Sequence, residues 1–378
     1  MEKIKTVLIS TASLPHDGVA SWTTELNYLL ERENELDYII GPYSNIKIKK
    51  PTQIFLDKPS LLDKVRTKIN YEYRFNHYVK ALKKVLKNET KIILQIKDNY
   101  GLLKAILSFI NKNKLRKQIY VQYHYHSFLP FIKDETMIEQ IDELVLLTNE
   151  SYKAIYRATD SLALRVSILN DGVDSTKFKP LSDPHEKTLL RERLKLDQNK
   201  LIFVWCAQDR KKKGLDLILE VWETLVQKRK DIELLIFGLH RDVQLLGVRN
   251  MGQVPNELLI SYHQAADFYL FPSLCQEGFG LSLVEALKCG NYCISALNGA
   301  SQYILKNGDY GTLIRRPHVV KDWLEVIEES ILVYEKNKRL NPFVKNIPTN
   351  IYDMHDWYIG YNSIITEAKK SFKHRYYI

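Results

Sequence analysis

The stretch "DFYLFPSLCQEGFGLSLVEALKCG", residues 267–290, predicts a strand, a glycine-containing loop and a helix in direct succession. The apolar strand residues end before Pro272, and the helical spacing of apolar residues begins near Leu281. Between them, Gly278 and Gly280 allow the backbone to approach a ligand closely. The unpaired N–H groups at the start of such a helix, with its positive dipole end, form an anion site. This unit is typical of a parallel α/β sheet that binds a ligand at the carboxyl end of a strand.

Two glutamates on this stretch, Glu277 and Glu285, indicate what the ligand is. Glu277 lies at the mouth of the loop, whereas Glu285 lies about one turn into the helix among apolar residues. A buried carboxylate without a partner is costly, so it needs hydrogen-bond donors. The hydroxyl groups of a ribose or another sugar are suitable donors. An anion-binding loop beside a ribose-binding carboxylate therefore predicts a nucleotide site.

The same alternation of strands and helices extends over the rest of the chain. Apolar, β-branched runs that predict strands lie at 5–11, 36–42, 91–98, 118–126, 143–149 and 165–171, and again at 201–207, 232–238, 267–273, 291–296 and 311–316. Helical segments separate most of these runs, which predicts parallel sheets with helices on both faces. The chain therefore belongs to the α/β class, with two doubly wound, Rossmann-like sheets in series.

The boundary between the halves is predicted at a polar stretch with two prolines, residues 179–190, which is typical of a linker. The first domain is expected to span 1–178 and to be completed by 352–378, and the second to span 179–351. A chain of 378 residues is the right length for two such domains.

Composition and net charge indicate the class of partner and the cellular compartment to expect. The net charge of +10 favours an anionic partner, such as a phosphorylated substrate or an anionic membrane face. No apolar run approaches the roughly 20 residues that span a bilayer, and the charged N-terminus is unlike a signal peptide. We therefore expect a cytoplasmic protein, with association at the inner membrane face left open. The cysteines lack zinc spacing and are expected to be reduced thiols: Cys206, Cys275, Cys289 and Cys293.

Residues 248–314 resemble the donor-binding half of retaining glycosyltransferases of family 4, which have the GT-B fold. Glu277 and Glu285 match the two glutamates of that family's E-x7-E motif, and Phe279 and Gly280 match its phenylalanine and glycine. The resemblance implies that Glu285 holds the ribose and that Glu277 lies beside the donor sugar and phosphates. It also implies two Rossmann-like domains facing across a cleft, with a C-terminal helix that crosses back to the first domain.

The stretch "CAQDRKKKGLDL", residues 206–217, is similar to a family motif that places an arginine and a lysine on the donor diphosphate. Lys213 matches the lysine. Gln208 stands where the family has the arginine, so the resemblance leaves Arg210, two residues further on, or Lys212 as its substitute.

The first half resembles the family only at scattered positions. The loop after the first strand usually has a glycine pair near the donor phosphates, and here only Gly18 matches it. His124 and His126 end another strand and should lie on the same side of it, because side chains alternate along a strand. His126 is the better match to a family histidine that faces the donor sugar.

The resemblance implies transfer of a hexose from a UDP- or GDP-linked sugar, with retention, to a glycan or lipid-linked acceptor. Such transfer serves the synthesis of cell-surface polysaccharide or glycolipid. The expected catalytic residues are Glu277, His126, Lys213 and Arg210. The expected donor-binding residues are Gly18, His124, Gly278, Phe279, Gly280, Leu281 and Glu285. Neither a metal ion nor another cofactor is expected, because cationic side chains can neutralise the departing diphosphate.

Two other functions stay open: a catalytically silent GT-B partner or scaffold protein, and a sugar-nucleotide epimerase of the same fold. The acceptor is also open. The segments 71–91 and 101–118 predict helices with basic residues beside apolar faces. Such helices either bind an anionic membrane surface or pack on the first sheet with a wet basic side. No nucleic-acid-binding motif is present, so no nucleic acid partner is expected.

Overall fold

A computed structural model describes residues 3–16, 21–57, 71–127, 135–159, 163 and 165–374. Contacts divide the chain into two compact units. The first unit comprises residues 1–171 and 354–378, and the second comprises residues 172–353. The chain thus passes between the units at 171/172 and at 353/354.

Two parallel sheets form the centres of the units. The strands of the first are β1 (Lys5–Ile9), β2 (Tyr38–Gly41), β3 (Thr52–Phe55), β4 (Ile92–Lys97), β5 (Ile119–Tyr125), β6 (Glu143–Leu146) and β7 (Arg165–Ile168). Those of the second are β8 (Leu201–Cys206), β9 (Ile232–Phe237), β10 (Val248–Gly252), β11 (Phe268–Phe271), β12 (Tyr292–Ala296) and β13 (Thr312–Ile314). The strand orders are β3-β2-β1-β4-β5-β6-β7 and β10-β9-β8-β11-β12-β13. All neighbours are parallel.

Helices connect most of the strands. They are α1 (Ser21–Leu30), α2 (Asn76–Leu86), α3 (Tyr100–Lys112), α4 (Glu135–Ile138), α5 (Asn149–Ala158), α6 (Pro184–Arg193), α7 (Leu215–Lys228), α8 (Asn256–Ala265), α9 (Leu281–Lys288), α10 (Ser301–Ile304), α11 (Val320–Lys336) and α12 (Met354–His374). Short 3₁₀ turns lie at Tyr71–Phe75, Leu115–Lys117, Lys211–Lys213, Lys306–Gly308 and Val344–Asn346. None of the described helices is long and apolar enough to cross a membrane.

Successive side chains of a strand point to opposite faces of the sheet, and helices pack against both faces of each sheet. In β1, Val7 and Ile9 belong to the core formed with α2 and α3, whereas Leu8 belongs to the core formed with α1 and α12. In the second unit, Phe203 packs with α7 and α11. On the opposite face Phe237 contacts Tyr262 of α8, with ring centroids 5.0 Å apart. The prediction of two doubly wound parallel sheets is confirmed.

The structure corrects the sequence prediction at three places. The predicted linker, residues 179–190, lies inside the second unit, and α6 begins within it. Asp183 caps this helix by accepting a hydrogen bond from the N–H of His185 at 2.8 Å, and Pro184 occupies the first turn. The short edge strands β3 and β10 were not predicted. None of their residues is fully buried, so the apolar pattern that marks an inner strand is missing from them.

Candidate active site

Two loops of the second unit meet at the point where its strand order reverses. One follows β8 and contains the turn Lys211–Lys213, and the other joins β11 to α9. The N–H of Leu274 donates to the carbonyl of Lys212 at 2.8 Å. Gly214 has a φ of +73°, and a Cβ there would lie 2.0 Å from the carbonyl oxygen of Pro272. Only glycine therefore permits this contact, which fixes the turn against the carboxyl end of β11.

This contact brings Lys213 to Glu277. The Lys213 Nζ lies 2.6 Å from Oε1 of Glu277, and the hydroxyl of Ser273 donates to the same oxygen at 2.6 Å. Burial raises the pKa of Glu277, but the charge and hydrogen bond of Lys213, with the Ser273 and Cys275 contacts, outweigh it and lower the pKa overall. The Lys213 and Glu277 side chains are 23% and 16% exposed, so a ligand can reach both.

A third loop, after β12, holds the backbone of Glu277 in place. Gly299 has a φ of +57°, and a Cβ there would lie 2.3 Å from the backbone nitrogen of Glu277. The N–H of Ala300 donates to the Glu277 carbonyl at 3.0 Å. Ser273 and Gly299 are not among the predicted site residues. The signal for Gly299 was the Asn-Gly pair directly after a predicted strand, which is typical of a tight turn.

Glu285 lies in the second turn of α9 and has no hydrogen-bond partner among the described residues. Its side chain is half-buried, and burial alone raises its pKa from 4.5 to about 7. The nearby hydroxyl of Tyr269 does not satisfy it, because that hydroxyl donates to Ser282 at 2.8 Å. The carboxylate is therefore a strong acceptor with nothing to accept from within the described chain.

The N-terminus of α9 adds free donors beside this carboxylate. Gly280 is the N-cap with a φ of +103°, and a Cβ there would lie 3.2 Å from the ring of Phe271. The N–H groups of Leu283 and Val284 donate to the Gly280 carbonyl at 3.0 and 3.2 Å. Those of the residues before them have no intrahelical acceptor. The predicted Leu281 starts this helix and is half-buried.

The remaining predicted residues of the second unit contribute differently. Gly278 is buried. The ring of Phe279 is also buried and packs edge-on against Tyr352 with centroids 5.3 Å apart, so it supports the loop from inside the unit. Arg210 is the N-cap of the turn after β8, and its side chain is exposed. No described residue forms an ion pair with it, so its guanidinium can reach an anionic ligand.

The predicted histidines lie in the first unit. His124 and His126 line one small cavity at the carboxyl end of β5, which confirms that they share a side of the strand. Burial and the charge of Lys97 lower the pKa of His126 to about 3, so the ring is uncharged at neutral pH, with one nitrogen that donates a hydrogen bond and one that accepts. Gly18, the other residue predicted here, lies outside the described residues.

Three ionisable side chains besides the histidines line the same cavity: Glu25, Lys97 and Asp171. Lys97 is 8% exposed, and no described residue accepts a hydrogen bond from its Nζ. The ammonium lies 5.6 and 5.5 Å from the ring centroids of Trp357 and Tyr361. Burial lowers the pKa of Lys97, and the charges of Glu25 and Asp171 oppose that effect. The cavity volume of about 10 Å³ suits a single water molecule.

Among the described residues, no group of three or more His, Cys, Asp or Glu side chains is arranged to hold a metal ion. The expectation of a metal-free site stays a prediction.

The second unit matches a known family. Residues 186–346 match the family described as glycosyl transferases group 1. This stretch includes Lys213, Glu277 and Glu285, the three residues that form the centre of the site. Over 219 residues the chain is 25% identical to a D-inositol 3-phosphate glycosyltransferase of Rhodococcus erythropolis. The aligned part covers 53% of this chain and 48% of that protein. The chain spans about half the length of the curated relatives it matches.

Solved structures extend the likeness over the whole chain. Sucrose-phosphate synthase from Thermosynechococcus elongatus superposes with a TM-score of 0.73 at 15% identity, covering 98% of this chain and 100% of that one. HepE from Anabaena, in complex with UDP and glucose, superposes with a TM-score of 0.66 at 14% identity, with the same coverage. Identities this low establish the fold alone. Residues 186–346 of the second unit are therefore similar to the group 1 glycosyl transferases, and the chain has the GT-B fold that the resemblance predicted.

Proposed function

We propose that this chain is a retaining glycosyltransferase that moves a hexose from a nucleotide sugar to a glycan or lipid-linked acceptor. The observation that carries the proposal is the Glu285 carboxylate, half-buried and without a donor in the described chain. Two adjacent hydroxyl groups of a ribose can donate to the two oxygens of one carboxylate. The free N–H groups at the start of α9 and the ammonium of Lys213 then suit the diphosphate. Together these groups match the ribose and the diphosphate of a nucleotide sugar.

The donor sugar would lie against Glu277. In the free protein, Glu277 uses Oε1 for Lys213 and Ser273, which leaves its second oxygen available for a sugar hydroxyl. A bound diphosphate competes for Lys213 and frees further acceptor capacity on Glu277. The structure of HepE contains UDP and glucose, which supports a UDP-linked hexose as the first donor to test. A GDP-linked hexose is the second.

In the proposed reaction, the bond between the anomeric carbon and the diphosphate oxygen breaks, and a bond to an acceptor oxygen forms on the same face. The proton of the acceptor hydroxyl passes to the departing diphosphate. Negative charge accumulates on the departing diphosphate. Lys213, Arg210 and the start of α9 stabilise that charge, and the effect is large because the groups are already in position. Glu277 orients the sugar, and His126, uncharged at neutral pH, offers a hydrogen bond to a sugar hydroxyl. Since these cations neutralise the leaving group, the proposal requires no metal ion.

A lipid-linked acceptor is supported by the charge on α2. Its apolar residues pack into the core of the first unit, so the helix cannot lay an apolar face into a bilayer. Its exposed residues are lysines, of which Lys84 already pairs with Asp57 at 3.2 Å: Lys80, Lys83, Lys84 and, at the C-cap, Lys87. Attraction to anionic headgroups is therefore electrostatic, at about 1 kcal/mol for each basic residue near the surface. We propose that this lysine face attaches the enzyme to the cytoplasmic face of the membrane, as transfer to a lipid-linked acceptor would require.

The deciding experiment measures the melting temperature of the wild type with UDP, GDP and their hexose derivatives. A ligand at 100 times its Kd stabilises the folded protein by about 2.7 kcal/mol. We expect one nucleotide to raise the melting temperature of the wild type clearly more than that of Glu285→Gln. Glu257→Gln, which changes an exposed glutamate on α8, is the matched control and should respond like the wild type. If no nucleotide shifts the wild type, the proposed donor site is wrong.

The reaction itself is tested with the nucleotide sugar that binds. NMR of the product reports the anomeric configuration, and an inverted product would refute retention. Conversion of the sugar nucleotide without any acceptor would instead support an epimerase. Binding of the nucleotide without turnover in the presence of lipid-linked and glycan acceptors would support a silent partner protein.

A further inference from the structure

The last residue of α9, Lys288, is a lysine that is only 4% exposed. Its Nζ donates to the hydroxyl of Ser175 at 2.7 Å, to the carbonyl of Ile351 at 2.7 Å and, more weakly, to that of Thr349 at 3.4 Å. All four residues belong to the second unit. Burying an ammonium is costly unless its hydrogen bonds are made, and these acceptors match the three protons of the group. The geometry therefore fixes the Lys288 side chain in one position.

The acceptors come from the two ends of the second unit in the sequence. Its first residues, around Ser175, and its last, up to Asp353, are also joined to each other. Val173 and Asp353 form a parallel bridge, and the N–H of Val173 donates to the carbonyl of Tyr352 at 2.8 Å. The N–H of Ser175 donates to the Asp353 carboxylate at 3.1 Å. We name the segments 172–175 and 349–353 the connecting segments, because the chain enters and leaves the unit through them.

Lys288 thus ties the connecting segments to the helix that carries Glu285. The two residues are three positions apart on a helix of eight residues, so they are neighbours on its surface. The N-terminal end of α9 is held by the close approach of Gly280 to Phe271. Its C-terminal end is held by the bonds of Lys288 to residues 113, 61 and 63 positions away in the chain. Buried apolar side chains also pack α9 into the unit, and Lys288 adds the polar attachment at its C-terminal end.

We propose that Lys288 is a positioning residue for the nucleotide: it holds α9, and with it Glu285, in register with the connecting segments. This inference rests on the proposed function of Glu285 as the ribose-binding carboxylate. Because binding couplings are reciprocal, a nucleotide that orders α9 must also order the connecting segments, and disturbing those segments must weaken nucleotide binding. Lys288 itself does not touch the nucleotide.

The test is a double-mutant cycle on the Kd for UDP, or for GDP if that is the nucleotide that stabilises the wild type. The variants are Lys288→Met, Glu285→Gln and the double variant, with affinities from titration calorimetry. We expect Lys288→Met to weaken binding by about threefold or more. We expect it to cause no further loss when Glu285 is already changed, because residues that act through each other are not additive. Hydrogen exchange should show nucleotide-dependent protection of 172–175 and 349–353 in the wild type and not in Lys288→Met.

The matched control is Lys187→Met in the same unit. Lys187 also donates from a partly buried position, to Asp267 at 2.7 Å and to the carbonyl of Ala266 at 3.0 Å. These acceptors lie at the opposite end of β11 from the active-site loop. We expect this variant to lower the melting temperature and to keep the wild-type Kd within about twofold, which is the result that a purely structural lysine gives.

The outcomes separate this inference from the function on which it rests. If the wild type binds neither UDP nor GDP, the proposed function is wrong and this inference falls with it. If the wild type binds through Glu285 but folded Lys288→Met keeps the wild-type Kd, only the inference is wrong. If Lys288→Met does not fold, Ser175→Ala replaces it, since it removes one acceptor and leaves the lysine in place. A wild-type Kd in Ser175→Ala then refutes the inference.

Discussion

Replacing Glu285 by glutamine should stabilise the free protein at neutral pH while it weakens nucleotide binding. The carboxylate is desolvated without a partner in the described chain, which raises its pKa from 4.5 to about 7. The unfolded chain therefore releases this proton at lower pH than the folded protein does. Between about pH 4.5 and pH 7 the folded state binds more protons, so the free energy of unfolding falls as the pH rises through this range.

The size of the effect follows from the pKa difference. A difference of one pKa unit corresponds to about 1.36 kcal/mol. Above pH 7, burial of the charged Glu285 therefore lowers the free energy of unfolding by at most about 3 kcal/mol. Solvent that reaches part of the side chain reduces this cost. Glutamine has nearly the same shape and no charge to desolvate. We expect Glu285→Gln to be more stable than the wild type at pH 8 and equally stable near pH 4.5.

The assay is hydrogen exchange of the amides in β8 and β11 at both pH values, because these central strands report the unfolding of the second unit. Melting temperatures give a second measure, with about 2–4 °C expected for each kcal/mol in a unit of this size. Glu257→Gln should show no gain at pH 8. An equal difference between Glu285→Gln and the wild type at both pH values would refute the reasoning, because it would mean that burial does not penalise the charge.

Three further predictions concern Lys213, Gly299 and His126. Lys213→Met removes the partner of Glu277 and a cation for the diphosphate; kcat at saturating donor should fall by about 10²–10³, and an unchanged kcat would exclude the assigned role. Gly299→Ala forces a Cβ to 2.3 Å from the Glu277 backbone, so the unfolding free energy should fall by about 1–3 kcal/mol or more, as denaturant titration would show. The imidazole of His126, whose pKa is lowered to about 3, should stay neutral between pH 5 and pH 8 in NMR spectra; a titration in this range would contradict its burial beside Lys97.

Much of the fold could be predicted because its signals are local. An inner strand of a parallel sheet is apolar on both faces, and the helix that follows it repeats its apolar residues at helical spacing. The edge strands β3 and β10 were not predicted, because a strand with a neighbour along only one edge stays partly exposed and lacks the apolar run of an inner strand. The stretch at 179–190 was wrongly predicted as a linker because proline marks both a loop and the first turn of a helix.

The strand–loop–helix unit at 267–290 and the unusual position of Glu285 among apolar residues could be predicted from the amino-acid sequence, because both are properties of neighbours in the chain. Only the tertiary structure shows that Lys213 pairs with Glu277, 64 residues away, and that Gly299 closely contacts the backbone of Glu277. Only it showed that Lys288 is a buried link to both connecting segments. Such pairings depend on which strands lie side by side, and the order of strands in a sheet is set by packing of the whole unit rather than by any local pattern of residues.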